Sequence, residues 1–115
     1  MNDNIIEKKS FDFAVRIVNL HKHLTNEKKE FVLSKQLLRS GTSIGANVSE
    51  AIRGQTKADF LAKMCIALKE ANESHYWIKL LYKTDFVSEQ EFNSIEQDVI
   101  ELIKILSSIC KTSTK

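Results

Sequence analysis

Proline is absent from the 115 residues, glycine occurs three times and cysteine twice. Without proline, no helix interior loses an N–H or meets a ring clash, and so few glycines leave long helices with little backbone penalty. No stretch alternates apolar and polar residues as a half-buried strand requires. No apolar run approaches the roughly 20 residues of a membrane span. The opening MNDNIIEKKS also lacks the apolar core of a signal peptide, so a cytoplasmic protein without membrane contact is expected. Cys65 and Cys110 have no CxxC spacing and lie among apolar residues, which predicts buried reduced thiols rather than a disulfide.

Neither sign of charge dominates, the net charge being +2. Its distribution is uneven. Residues 1–84 hold 14 Lys or Arg against 9 Asp or Glu, whereas residues 85–115 hold 3 against 6. The basic excess is compatible with solvated helix faces and with attraction of a polyanion such as nucleic acid.

What remains is helical periodicity. The spacing predicts helices over about Ile6 to Leu24, Phe31 to Arg53, Lys57 to Lys83 and Glu89 to Cys110. The first carries Phe11, Ala14, Ile17, Val18, His21 and Leu24 at helical intervals, with Phe13 and Leu20 widening the stripe. TNEKKE, Thr25 to Glu30, reads as the connection. Gly54 is the expected C-terminal cap of the second helix. Thr56 with Asp59 and Ser88 with Glu91 resemble capping boxes opening the third and fourth helices. Phe60, Met64, Ala67, Leu68, Ala71, His75, Ile78 and Tyr82 form the inward face of the third helix, and Phe92, Ile95, Val99, Leu102, Leu106 and Ile109 that of the fourth. The tail KTSTK is expected to fray. Four amphipathic helices with short connections pack most simply as an all-α, antiparallel up-down-up-down four-helix bundle, one domain over residues 1–115.

The second helix holds the least ordinary stretch, QLLRSGTSIGANVSEAIRG, with all three glycines. At about 100° per residue, Leu33, Leu37, Ile44, Val48 and Ala51 share a core face. Gln36, Ser40, Ser43, Asn47 and Glu50 form a polar line beside it, and Lys35, Arg39, Thr42, Ala46, Ser49 and Arg53 lie opposite. Gly41 and Gly45 bare one strip, where a backbone or large side chain can approach from within the bundle or from another subunit. Arg39 is suited to bidentate pairing with a carboxylate on a neighbouring helix or chain. On the third helix Trp77 and Glu70 share a strip to one side of the core face, with Ile66 and Leu80 further round. That arrangement reads either as a subunit contact or as the edge of the bundle.

No reaction is legible. Glu70 and Glu73 have no His three residues on, so the inward ExxH pairs of a di-iron bundle are missing. His21, His23 and His75 share no ligand spacing, and no phosphate-binding loop, HExxH or nucleophile elbow occurs. The expectation is a protein that is not an enzyme and holds no metal or cofactor.

QLLRSGTSIGANVSEA, the segment DFLAKMCIALKEANESHYWIKLL from Asp59 to Leu81, and the opening SFDFAVRIV together resemble the bundle family named after the intervening sequences of bacterial 23S ribosomal RNA. The resemblance covers nearly the whole chain. It implies a small cytoplasmic, non-enzymatic bundle forming ring-like homopentamers, with RNA or DNA binding as the suggested activity. A related bundle, the accessory protein of diversity-generating retroelements, is a basic pentameric barrel that works with a reverse transcriptase and nucleic acid. On this sequence the candidate subunit contacts are Arg39, Ser40, Gly41, Ser43, Gly45, Asn47, Glu50, Glu70 and Trp77. The candidate phosphate contacts are Lys28, Lys29, Lys35, Arg39, Arg53 and Lys57. No aromatic is expected to interleave with them as a stacking platform. The competing expectation is a scaffold or accessory subunit that binds one protein partner and not nucleic acid.

Overall fold

The structure, a computed structural model, describes the backbone of residues 2–113 and the side chains of residues 5–111. Four helices follow one another: α1 Asn2–Asn26, α2 Leu33–Ile52, α3 Lys57–Lys83 and α4 Glu89–Ser113, with no strand among the described residues. Lys111 to Ser113 continue α4, while the rest of the tail expected to fray, Thr114 and Lys115, lies outside the described residues.

Side-chain pairs fix the antiparallel order. Arg53 of α2 reaches Glu7 of α1, and Glu50 of α2 reaches Lys63 of α3. His75 of α3 meets Glu96 of α4, and Lys9 of α1 meets Glu101 of α4. The fourth seam, α1 against α4, is held largely by Arg16, which donates to Asp98 Oδ2 at 2.9 Å, Glu91 Oε2 at 2.5 Å and Ser94 Oγ at 2.9 Å. The result is a bundle of about 44 × 20 × 20 Å.

The core is a continuous apolar column. Ile6, Phe13, Ile17, Leu20 and Leu24 enter it from α1, and Leu37, Ile44, Val48 and Ala51 from α2. Met64, Ala67, Ala71, Ile78 and Leu81 come from α3, and Ile95, Val99, Leu102, Leu106 and Ile109 from α4. Cys110 is buried, and burial together with a hydrogen bond to Cys65 pushes its thiol up to about 12; both cysteines are free, as expected, but Cys65 is only half-buried. His21 Nδ1 lies 3.3 Å from Ser34 O and His75 Nε2 2.8 Å from Glu96 Oε2, so both histidines are hydrogen-bonded structural groups.

The turn chemistry is partly as the spacing predicts. Thr56 Oγ1 accepts from Asp59 N at 3.0 Å and Ser88 Oγ from Glu91 N at 3.1 Å, capping α3 and α4. Gly54 does not take the left-handed conformation expected of a capping glycine; α2 stops at Ile52 with Arg53 as its cap. The left-handed positions fall on Lys29, φ 55°, and Asp85, φ 70°. Asp85 closes α3 in a Schellman motif: its N–H donates to Tyr82 O and that of Phe86 to Leu81 O.

One residue of an expected apolar stripe lies outside, and one expected helix start is displaced. Phe11 is 67% exposed. The apolar arc of α1 is wider than the surface its neighbours cover, and the stripe through Ile6, Phe13, Ile17 and Leu24 takes the inside. Phe31, expected to start α2, precedes the helix and is 59% exposed.

Candidate nucleic-acid interface

The α1–α2 connection is built around a carboxylate. Glu30 is buried, and its Oε2 accepts from the backbone N–H of Val32 at 3.2 Å and Leu33 at 3.0 Å, its Oε1 from Ser34 N at 2.7 Å. Its own N–H donates to Leu24 O, so one residue satisfies groups at the ends of both helices. Val32, at the N-cap position, contributes no side-chain bond, and the first turn of α2 has no acidic residue. Glu30 therefore supplies the negative charge that the positive end of the helix favours. Burial raises the Glu30 pKa, but the backbone donors from Leu33, Ser34 and Val32 outweigh it and hold the carboxyl below its ordinary value of 4.5.

With Glu30 turned inward, its neighbours turn out. Lys28, Lys29, Phe31, Val32 and Lys35 are all exposed. Among the described residues Lys28, Lys29 and Lys35 form no ion pair. Lys28 borders an open cleft of about 430 Å3 between the end of α1 and the α3–α4 connection, in the company of Asp85, Glu89 and Glu91. Lys29 and Lys35 do not border it.

The other three predicted phosphate contacts do not join this cluster. Arg39 donates to Glu70 Oε1 at 3.1 Å and also pairs with Glu73. Arg53 donates to Glu7 Oε2 at 2.9 Å. Lys57 is exposed at the first residue of α3, near Arg53 and separated from Lys35 by most of α2, about 30 Å of helix. The six cations divide between the two ends and one flank of the bundle, and only Lys28, Lys29 and Lys35 share the end formed by the α1–α2 connection.

The predicted subunit contacts are largely engaged within the chain. A Cβ on Gly41 would lie 2.9 Å from Ile17 Cγ1 and Cγ2, and one on Gly45 3.2 Å from the Ser10 carbonyl oxygen. The glycine strip is thus filled by α1 of the same chain. Ser40 is fully buried, accepting from Ser74 Oγ at 2.8 Å. Asn47 Nδ2 donates to Ser43 O at 2.8 Å and Ser43 Oγ at 3.1 Å within α2, and Glu50 pairs with Lys63 at 3.0 Å. Half-buried Trp77 packs on the core and donates from Nε1 to Glu73 Oε2 at 3.0 Å, so Arg39, Glu70, Glu73 and Trp77 form one α2–α3 lock. The partners of Arg39, Ser40, Gly41, Gly45 and Glu50 come from neighbouring helices, whereas Asn47 and Ser43 pair within α2.

The apolar side chains left outside are elsewhere. Ile5, Phe11 and Val15 of α1 are 46%, 67% and 47% exposed, and Ile66 and Tyr76 of α3 are 41% and 57% exposed. No group of three or more metal-ligating side chains occurs among the described residues, and none of their helices is long and apolar enough to cross a membrane.

Such a molecule is a small antiparallel four-helix bundle whose outward chemistry is surface charge and apolar contact area. The chain belongs to the family of 23S rRNA-intervening sequence proteins, which it matches over residues 2–108. It is similar, at 57% identity and a TM-score of 0.94, to a crystal structure from Bacteroides thetaiotaomicron described as a protein with unknown function from the S23 ribosomal protein family. That similarity covers 96% of this chain and 99% of the other. No curated protein matches the chain.

Proposed function

We propose that the protein is a non-enzymatic, cytoplasmic homo-oligomeric bundle, pentameric as its resemblance implies, that binds RNA or DNA through lysines of the α1–α2 connection. The observation that carries the reading is the group of Lys28, Lys29 and Lys35, exposed and without ion pairs among the described residues. Free ammonium groups on a surface displace counterions from a phosphate backbone, whereas guanidinium groups already neutralised by carboxylates gain little by doing so. The family name, 23S rRNA-intervening sequence protein, is compatible with an RNA partner.

Assembly is assigned to the outer side of α1, where the apolar side chains of Ile5, Phe11 and Val15 are exposed. Light scattering should return several times 13.2 kDa, and Phe11→Asp should lower the mass without loss of helicity. A monomeric wild type would overturn this part.

Binding of a fluorescent RNA or DNA oligonucleotide should weaken steeply between low and moderate salt, and Lys29→Gln with Lys35→Gln should flatten that dependence. Binding that ignores salt, or no binding at low salt, overturns the nucleic-acid reading. The same exposed apolar surface favours a second reading, a scaffold for a specific protein partner. A stoichiometric partner retained after nuclease treatment would support it.

A further inference from the structure

The exposed lysines of the α1–α2 connection flank an aromatic residue in the chain, and that residue is exposed as well. Phe31 lies two residues after Lys29 and four before Lys35, at 59% exposure, with Val32 beside it at 72%. A phenylalanine at the head of an amphipathic helix ordinarily folds onto the core. Here Glu30 occupies the inward position and is tied by its carboxylate to three successive backbone N–H groups, which leaves Phe31 facing solvent on an anchored backbone. Lys29 is itself held in the left-handed region. The tip is thus an exposed aromatic ring on an anchored backbone, in a stretch whose lysines form no ion pair among the described residues.

We propose that this tip recognises single-stranded nucleic acid, an unpaired base stacking on Phe31 while Lys29 and Lys35 contact the adjoining phosphates. The inference rests on the nucleic-acid reading above and adds which form is bound. The choice follows from what each surface can offer. Lysines attract phosphates of duplex and single strand alike, but a solvent-facing ring finds a base face only where bases are unstacked, because a duplex buries those faces in its own stack. The acidic side chains Asp85, Glu89 and Glu91 border the cleft beside Lys28, which leaves Lys29 and Lys35 as the principal phosphate contacts. An anionic lipid surface shares the charge requirement, but two apolar residues at a tip are a small anchor compared with the continuous apolar face of an interfacial helix.

The test uses the full chain, a single-stranded uridine oligomer of about 12 nucleotides, within the site sizes such surfaces cover, and a duplex RNA of equal length. Fluorescence anisotropy at low salt should show the single strand bound about ten-fold or more tightly than the duplex. Phe31→Leu keeps an apolar side chain and removes the ring face; it should weaken single-strand binding about ten-fold while leaving duplex binding and the salt slope unchanged. Lys29→Gln with Lys35→Gln should weaken both and reduce the slope. Because Phe31 is mostly exposed, Phe31→Leu should unfold in urea at the wild-type midpoint. Duplex bound as well as or better than single strand, or single-strand binding indifferent to Phe31→Leu, overturns the stacking proposal while nucleic-acid binding itself stands. Absence of binding to both RNAs overturns the two together. Phe31-dependent binding to phosphatidylserine vesicles, without preference for single strands, would also overturn it in favour of a lipid surface.

Discussion

Glu30 and Ser34 hold each other across the first turn of α2. The Ser34 N–H donates to Glu30 Oε1 at 2.7 Å, and Ser34 Oγ donates back to Glu30 O at 2.8 Å. Both residues are buried, so water cannot replace either bond. Glu30→Ala should therefore cost about 2 kcal/mol, the loss of a cap whose acceptor is charged. The pH dependence follows in sign from the lowered Glu30 pKa. The unfolded chain takes up a proton near 4.5 and the folded chain only at lower pH, so the stabilisation is complete above 4.5 and is lost as pH falls through the folded value. Urea midpoints taken across the acid range should fall less in Glu30→Gln than in the wild type.

Gly41 accepts no side chain. The Ile17 side chain that a Cβ would meet is branched at its own Cβ, which itself lies 3.3 Å away, and cannot swing aside. Gly41→Ala should lower stability by about 1–2 kcal/mol despite the better helix propensity of alanine. Equilibrium denaturation would measure it, and a stabilised variant would contradict the close α1–α2 crossing.

Ser40 and Ser74 are both fully buried and bonded to each other between α2 and α3. Each serine replaced alone by alanine should cost about 1 kcal/mol, and the pair together little more than either, since removing both partners leaves no orphaned hydroxyl. A double-mutant cycle should give a coupling of about 1 kcal/mol; simple additivity would contradict a direct bond.

Asp85 spends backbone strain at the end of α3, at φ 70°. Asp85→Gly should relieve it and raise stability by about 0.5–1 kcal/mol, read as an upward shift of the thermal midpoint. No gain would mean that its side chain offsets the strain.

Arg39 and Arg53 provide the control for the lysine tip. Their guanidinium groups serve Glu70, Glu73 and Glu7, so Arg39→Ala should change oligonucleotide affinity less than two-fold by anisotropy and lower stability by about 1 kcal/mol, the arginine being exposed and its partners partly buried.

Much of the bundle was readable because its signals are local. The stripe through Met64, Ala67, Ala71 and Ile78 repeats at helical period, and Thr56 and Ser88 cap within three residues of themselves. The candidate site was less readable, because helical spacing says which residues share a flank and not what comes to meet it. Gly41, Ser40 and Arg39 were singled out by type and position, yet their partners Ile17, Ser74, Glu70 and Glu73 lie on other helices. Phe11 was misplaced because the apolar arc of α1 exceeds what two neighbouring helices cover.

By itself, then, the sequence determined four amphipathic helices, the caps that open α3 and α4 and most residues of the core, since periodicity, capping and burial of apolar area act along the chain. Only the tertiary structure decided that the glycine strip faces α1, that two arginines are neutralised within the bundle, and that Glu30 turns in while Phe31 turns out. The first two depend on which helix packs on which flank, and the third on the backbone N–H groups at the start of α2 that Glu30 satisfies; only the assembled bundle brings these partners together.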